Sequence, residues 1–288
     1  MTRTDTFTEY RPLLFSIAYR MLGSVMDAED AVQETYLRWE RADESGIESP
    51  KAYLSTIITR LSIDQLRSAR VQREQYIGPW LPEPLVTEKG ADMEDRAVLA
   101  DSLSMAFLVM LESLGPIERA AFLLREVFDF EYAELARILE KSEANCRQLV
   151  HRAKEHVKEH RPRFDASNAQ AQEIAAQFLH AATTGDMDRL LGLLAGDAIL
   201  WSDGGGKVAA ATNPIYGAEK IARFMVGIMK KAPEHFDARL AQINGQPGVV
   251  TYDGGKPYSV ATFDVLDGKI CGIRAVNNPD KLQRLPSL

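Results

Sequence analysis

The sequence predicts a multidomain chain: two all-α domains, the second carrying a helix-turn-helix, followed by an α+β domain. Three observations carry this. Apolar residues recur with helical spacing through residues 5–74 and again from Val98 to about Val157. Between them lies Tyr76-Ile-Gly-Pro-Trp-Leu-Pro-Glu-Pro-Leu85, whose three prolines remove backbone donors and fix φ, and an acidic stretch reaching Asp95. After Asp165 the pattern changes to helices followed by short strand-like runs divided by glycine turns. The predicted domains are therefore 1–74, a linker over 75–97, 98–163 and 164–288. A length of 288 residues accommodates such a division, each part large enough for its own core.

The first helix is expected over Phe7–Leu22, with Leu14, Ile17, Ala18 and Met21 on one face and Gly23 as its stop. The second is expected to start at Asp27 as N-cap and to bury Ala28, Ala31, Val32, Thr35 and Trp39. Ser49-Pro50 opens the third, which continues through Leu54, Ile57, Ile58 and Leu61 to about Arg73. In the last domain, helices are expected over 169–184, 186–194 and 218–231. Strands are expected over 236–243, 248–252, 259–265 and 269–276, as an antiparallel meander with turns at Asn244-Gly245, Asp253-Gly254-Gly255 and Asp267-Gly268.

Composition excludes several classes. Hydrophobic residues make up 45% and charged residues 26%, ordinary for a folded water-soluble domain. No apolar run approaches the roughly 20 residues of a membrane helix, and the polar N-terminus has no signal core. No membrane partner and a cytoplasmic location are expected. Cys146 and Cys271 form no metal or disulfide pattern and are expected to be small buried residues. No cofactor motif is present: Asp203-Gly-Gly-Gly-Lys207 lacks the phosphate-loop spacing and the following Ser or Thr.

The net charge of −7 is unevenly spread. Arg60, Arg67, Arg70 and Arg73 cluster at the end of the third helix, and Arg147, Arg152, Lys154, Lys158, Arg161 and Arg163 in a later stretch. Acidic residues gather at Asp27–Glu34 and Glu88–Asp95. Separate acidic and basic faces suit two different partners. The later basic stretch has a definite form. Tyr132, Leu135, Ala136 and Leu139 make one apolar stripe, a turn at Lys141-Ser142 follows, and the next helix buries Cys146, Leu149, Val150, Ala153 and Val157. Its other face presents Asn145, Arg147, Gln148, His151, Arg152 and Lys154. This describes a helix-turn-helix whose outward side chains suit base edges and phosphates.

These segments resemble a known family. Asp27-Ala-Glu-Asp-Ala-Val-Gln-Glu-Thr-Tyr-Leu-Arg-Trp39 resembles the polymerase-binding helix of domain two of bacterial sigma factors of the extracytoplasmic-function type. Tyr53–Arg67 resembles the helix that opens and reads the minus-ten element. Leu114–Arg125 and the helix-turn-helix resemble domain four, which reads the minus-thirty-five element. The resemblance covers about residues 5–160 and departs from many members at Arg60, where they carry asparagine. Trp80-Leu-Pro-Glu-Pro84, Asp203–Lys207 and Asn278-Pro-Asp-Lys-Leu282 resemble signatures of the subgroup with a SnoaL-like C-terminal extension, a cone of helices on a curved antiparallel sheet.

The resemblance implies a non-enzymatic initiation factor with core RNA polymerase, through its beta-prime clamp and beta subunit, and promoter DNA as partners. It implies that Asp30, Gln33, Glu34 and Arg38 dock on polymerase. Arg60, Arg67, Arg70, Asn145, Arg147, Gln148, His151, Arg152 and Lys154 contact DNA. Trp80, Pro82, Asp203, Gly204, Gly205, Gly206, Lys207, Asn278, Pro279, Asp280, Lys281 and Leu282 are expected to lie near one another and regulate the factor. The alternative is a C-terminal cyclase or isomerase using Asp197, Asp203, His180 or Asp237 as base, or a sensor holding an unidentified small ligand in the cone.

Overall fold

The computed structural model describes residues 2–43, 46–73, 75–87, 103–160 and 167–288, without the side chains of 70–72 and 160. The acidic run Glu88–Asp95 and the basic residues Arg161 and Arg163 lie outside the described residues. The chain forms two compact units: Met1–Gln75 with Leu108–Arg161, and Tyr76–Phe107 with Pro162–Leu288.

The first unit holds α1 (Arg3–Leu22), α2 (Val25–Arg41) and α3 (Pro50–Arg73). Gly23 ends α1 in the left-handed conformation, φ 67°. The cap of α2 differs from expectation. Ser24, not Asp27, is the N-cap, and its hydroxyl accepts from the Asp27 amide at 3.2 Å, so Asp27 sits inside the first turn. The expected inward residues of α2 are all buried, and α2 packs against α1 and α3. Ser49 caps α3 through the Ala52 amide at 3.3 Å.

The rest of this unit is helical too. After α4 (Met105–Leu111), which begins in the second unit, come α5 (Pro116–Phe122), a π-helical turn over Leu123–Val127, α6 (Tyr132–Leu139) and α7 (Glu143–His160). Ser142 Oγ accepts from the Asn145 amide at 3.2 Å, opening α7. Leu135, Ile138 and Leu139 are buried, as are Cys146, Leu149, Val150, Ala153 and Val157. The second apolar stripe of the expected helix-turn-helix thus forms its interior, whereas of the first stripe Leu135 and Leu139 are buried, Tyr132 and Ala136 are half-buried, and Ile138 joins the core instead.

Among its described residues the second unit has α8 (Asn168–Thr184), α9 (Met187–Leu193) and α10 (Ala218–Met229) with seven strands: β1 (Val86–Thr87), β2 (Leu194–Asp203), β3 (Ile215–Tyr216), β4 (Phe236–Ile243), β5 (Gln246–Asp253), β6 (Lys256–Leu266) and β7 (Lys269–Val276). They form one sheet in the order β1-β4-β5-β6-β7-β2-β3. The meander β4 to β7 is antiparallel as expected, but β2 joins β7 in parallel, which makes the sheet mixed. The helices cover one face through Ile174, Phe178, Leu190 and Ile221 against Leu200, Val249, Phe263 and Ile273. This is the α+β arrangement of helices on a sheet that the SnoaL-like resemblance implies. Cys146 is buried and Cys271 half-buried, its Sγ 3.3 Å from the Asp264 carbonyl oxygen. Among the described residues, no helix is long and apolar enough to cross a membrane.

Candidate functional site

Helix α2 buries one side, so the other is displayed. Asp30, Gln33 and Arg38 are exposed and Glu34 is partly so; Arg38 Nε donates to Glu34 Oε1 at 2.8 Å. The same face carries two large apolar side chains that charge reasoning missed, Met26 and Leu37, 54% and 41% exposed. Positions 26, 30, 33 and 37 follow helical spacing, so these groups flank the polar ones along one stripe. Their only sequence signal is apolar residues on the side opposite the buried stripe.

On α7, Asn145, Arg147, Gln148, His151, Arg152 and Lys154 are all exposed. Three of the cations have acidic or aromatic neighbours. Arg147 reaches Glu143 at 3.1 Å and stacks 4.5 Å from the centre of the Tyr132 ring. Arg152 reaches Glu118 at 3.3 Å and Lys154 reaches Glu126 at 2.8 Å. Such largely exposed pairs contribute little stability.

The arginines of α3 separate. Arg67 is exposed and pairs with Asp64 at 3.3 Å; the Arg70 side chain lies outside the described residues. Arg60 instead donates to the carbonyls of Ile138 and Arg137, both at 3.0 Å, and pairs with Glu140 at 3.0 Å. It thereby satisfies carbonyls left open at the C-terminal end of α6, where a cation is favoured. Arg73 pairs with Glu112 and donates to the Leu22 carbonyl at 2.7 Å. Arg119, 1% exposed, bonds Glu112 at 2.5 Å and donates to the Arg20 carbonyl at 2.9 Å. Glu112 thus joins the last turn of α1 to α5 through two arginines. Burial raises a carboxyl, but Arg119 and Arg73 outweigh it and hold Glu112 below its ordinary value.

A dense polar cluster lies in the second unit. Asp203, the last residue of β2, is completely buried. It accepts hydrogen bonds from the Tyr76 hydroxyl at 2.5 Å, the Leu81 amide at 2.8 Å, Lys281 Nζ at 2.7 Å and the Gly205 amide at 3.1 Å. Lys281 also donates to the Leu81 carbonyl at 2.5 Å, and its ammonium sits 4.3 Å from the centre of the Trp80 ring. Asn278 Nδ2 donates to the Tyr76 oxygen at 2.9 Å, and Lys207 pairs with Asp280 at the surface. Burial, followed by the bond to Asp203, pushes the Tyr76 phenol well above its ordinary range, so it remains a donor.

The glycines serve this approach. Gly205 has φ 60°, and a Cβ there would lie 2.3 Å from Asn278 Nδ2. A second hold lies further along: Asn244 exchanges backbone and side-chain bonds with Leu85 at 2.8 and 3.0 Å and donates to the Leu103 carbonyl at 3.1 Å. Val86–Thr87 then pairs with β4.

The structure therefore brings Trp80, Asp203–Lys207 and Asn278–Leu282 together. Pro82 and Leu282 are both buried. Sequence reasoning missed Tyr76 and Asn244, although an aromatic beside the linker prolines and an Asn-Gly turn were their visible signals. The proposed catalytic groups do not converge: Asp197, His180 and Asp237 are exposed, Asp203 is committed to the linker, and none of the four lines the cavity over the sheet. Among the described residues, no group of three metal-ligating side chains is suited to hold a metal.

Residues 6–71 match Sigma-70 region 2, and residues 104–157 match Sigma-70 region 4. The helical unit is thus of the class that directs RNA polymerase to promoters. The chain is 38% identical over 294 residues to the ECF RNA polymerase sigma factor SigJ of Mycobacterium tuberculosis, covering 97% of this chain and 93% of that protein. It is 32% identical over 281 residues to the probable ECF RNA polymerase sigma factor SigI of the same species, covering 96% and 93%. A crystal structure of the M. tuberculosis extracytoplasmic function sigma factor SigJ superposes with a TM-score of 0.76 at 35% identity, covering 96% of this chain and 98% of that one. The chain belongs to the extracytoplasmic-function sigma factors, which are promoter-specifying initiation factors and not enzymes.

Proposed function

We propose that the C-terminal domain regulates this sigma factor in cis by clamping the linker between regions 2 and 4. The observation that carries this is Asp203, a buried carboxylate whose four donors include Tyr76 and Leu81 of the linker. Free domains on a loose linker sample many separations, and a docked linker restricts them. Trp80, Pro82, the Asp203–Lys207 loop and Asn278–Leu282 are the regulatory contacts. The test is transcription in vitro with purified core polymerase, comparing the intact chain with clamp variants. Unchanged promoter output from all of them sinks the reading.

On this reading the factor works in the cytoplasm. The α2 face docks on the beta-prime clamp of core polymerase, with region 4 toward the beta subunit. Asp30, Gln33, Glu34 and Arg38 supply the polar contacts, and Met26 and Leu37 the apolar ones. Reversing Asp30 and Glu34 to lysine is expected to weaken holoenzyme assembly about tenfold or more with the fold retained. A pull-down with core polymerase that recovers equal amounts of variant and parent would reject this surface.

DNA is read by α7, with Asn145 and Gln148 toward bases and Arg147, His151, Arg152 and Lys154 along the groove and backbone. Gln148→Ala is expected to cost about 1–3 kcal/mol at one base position. Arg152→Ala is expected to weaken all sequences alike and lower the salt slope by about 1. Holoenzyme binding titrations against salt separate the two; equal behaviour of both variants contradicts the assignment. Arg67 and Arg70 hold phosphates near the minus-ten element. Arg60 joins them only by leaving the carbonyls of Arg137 and Ile138.

A further inference from the structure

The face of the sheet beneath α8 and α10 encloses a cavity of about 300 Å3, within the range of small-ligand sites. Leu200, Val249, Phe263 and Ile273 form its buried floor. Close-packed interiors leave few spaces larger than a water molecule, so an opening of this size amid aromatic side chains is suited to a guest. Polar groups on its wall are few: the Ser202 and Thr251 hydroxyls and the Asn277 amide are among them, with the exposed Lys231 the one charged lining residue among those described. A lining without carboxylates disfavours a cation. It favours an apolar body with a hydrogen-bonding end.

The cavity and the linker clamp share their walls. Strand alternation turns Ser202 to the cavity while its neighbour Asp203 takes the linker. In the tail, Asn277, Pro279 and Leu282 line the cavity, whereas Asn278, Asp280 and Lys281 bond Tyr76, Lys207 and Leu81. The loop after Asp203 divides likewise, with Val208 to Ala210 on the cavity and Gly205 against Asn278. Ser202 Oγ also accepts from Asn277 Nδ2 at 2.9 Å, tying two of these walls together.

We propose that this cavity binds a small, largely apolar molecule with a hydrogen-bonding end group, and that its occupancy tightens the hold on the linker. The coupling rests on the clamp proposed above. A guest touching Ser202, Pro279 and Leu282 orders the segments that hold Tyr76 and Leu81, and the linker responds without touching the guest.

The probe is 1-aminoanthracene, titrated by fluorescence into the full-length protein, with amide hydrogen exchange at Leu81 as the second readout. The expected result is saturable binding together with exchange slowed about fivefold or more. Ala261→Phe, which places a ring in the cavity from the middle of β6, is expected to lower probe affinity about tenfold or more. If its circular dichroism shows that it does not fold, Ala275→Leu from β7 takes its place. The proposal is overturned by absence of saturable binding in the parent. It is equally overturned by binding that the folded cavity variant leaves unchanged, or by binding with no change at Leu81. Transcription by Asp203→Asn without the probe tests the clamp separately. A failed titration beside a responsive variant condemns the ligand site alone, and a normal titration beside an unresponsive one condemns the clamp alone.

Discussion

Asp203→Asn is expected to release the linker and lower the stability of the C-terminal unit by about 3–5 kcal/mol, the cost of breaking a buried ion pair from one side. Asp203 is completely buried and Lys281 nearly so, at 12% side-chain exposure. An asparagine keeps one acceptor oxygen, but its amide group would face donors from Tyr76, Leu81 or Lys281. The buried Lys281 ammonium would then lose the Asp203 carboxylate that it bonds at 2.7 Å. Thermal denaturation should show the loss, and exchange at Leu81 should quicken, since that amide is held by the substituted carboxylate. Promoter output in vitro should change in the same variant. An Asp203→Asn protein with parental melting and parental exchange at Leu81 refutes the hub.

The Lys207–Asp280 pair is about half exposed on both sides. Its coupling should stay within about 1 kcal/mol. The Asp203–Lys281 cycle should exceed it, and the two cycles in parallel rank the contacts.

Helix positions were legible because local signals agree there: apolar spacing, Ser49-Pro50 and Gly23 all point to the boundaries seen. The α2 cap was misplaced by one turn because Ser24 and Asp27 are both good caps, and the hydrogen bond between them decides. Strand β2 was missed. Its sequence, Leu-Ala-Gly-Asp-Ala-Ile-Leu-Trp-Ser-Asp, lacks alternation, and its strand character comes from parallel pairing with β7, some seventy residues away by the register Leu200↔Ile273. The clamp motifs were visible as segments, but not their chemistry. The expectation that Asp203–Lys207 makes regulatory contacts does not distinguish its two ends: Asp203 is completely buried, whereas Lys207 is about half exposed. Arg60 shows the limit of charge clustering: Arg60, Arg67 and Arg70 are expected to face DNA together, yet long-range partners send Arg60 to α6, and Arg73 of the same basic cluster goes to Glu112.

Glu112→Gln is expected to cost the first unit about 3–5 kcal/mol. Arg119 is 1% exposed, and Arg73 and Glu112 are 14% and 21% exposed. Removing the carboxylate leaves two guanidiniums facing each other across the site it occupied. The backbone acceptors at Arg20 and Leu22 remain, yet they supply partial charge only. The pair also carries a pH signature. Because the folded Glu112 carboxyl lies below its ordinary value of 4.5, the unfolded chain binds its proton first as pH falls. Its contribution is therefore complete above 4.5 and is lost as pH drops through the folded value. Glu112→Gln should flatten the acid limb of stability in that window and lower the plateau above it. Urea denaturation of parent and variant at neutral pH and at steps below about pH 5 measures both effects. An equal plateau shows that Arg73 and Arg119 do not depend on Glu112. An unchanged acid limb assigns the titration to other carboxylates.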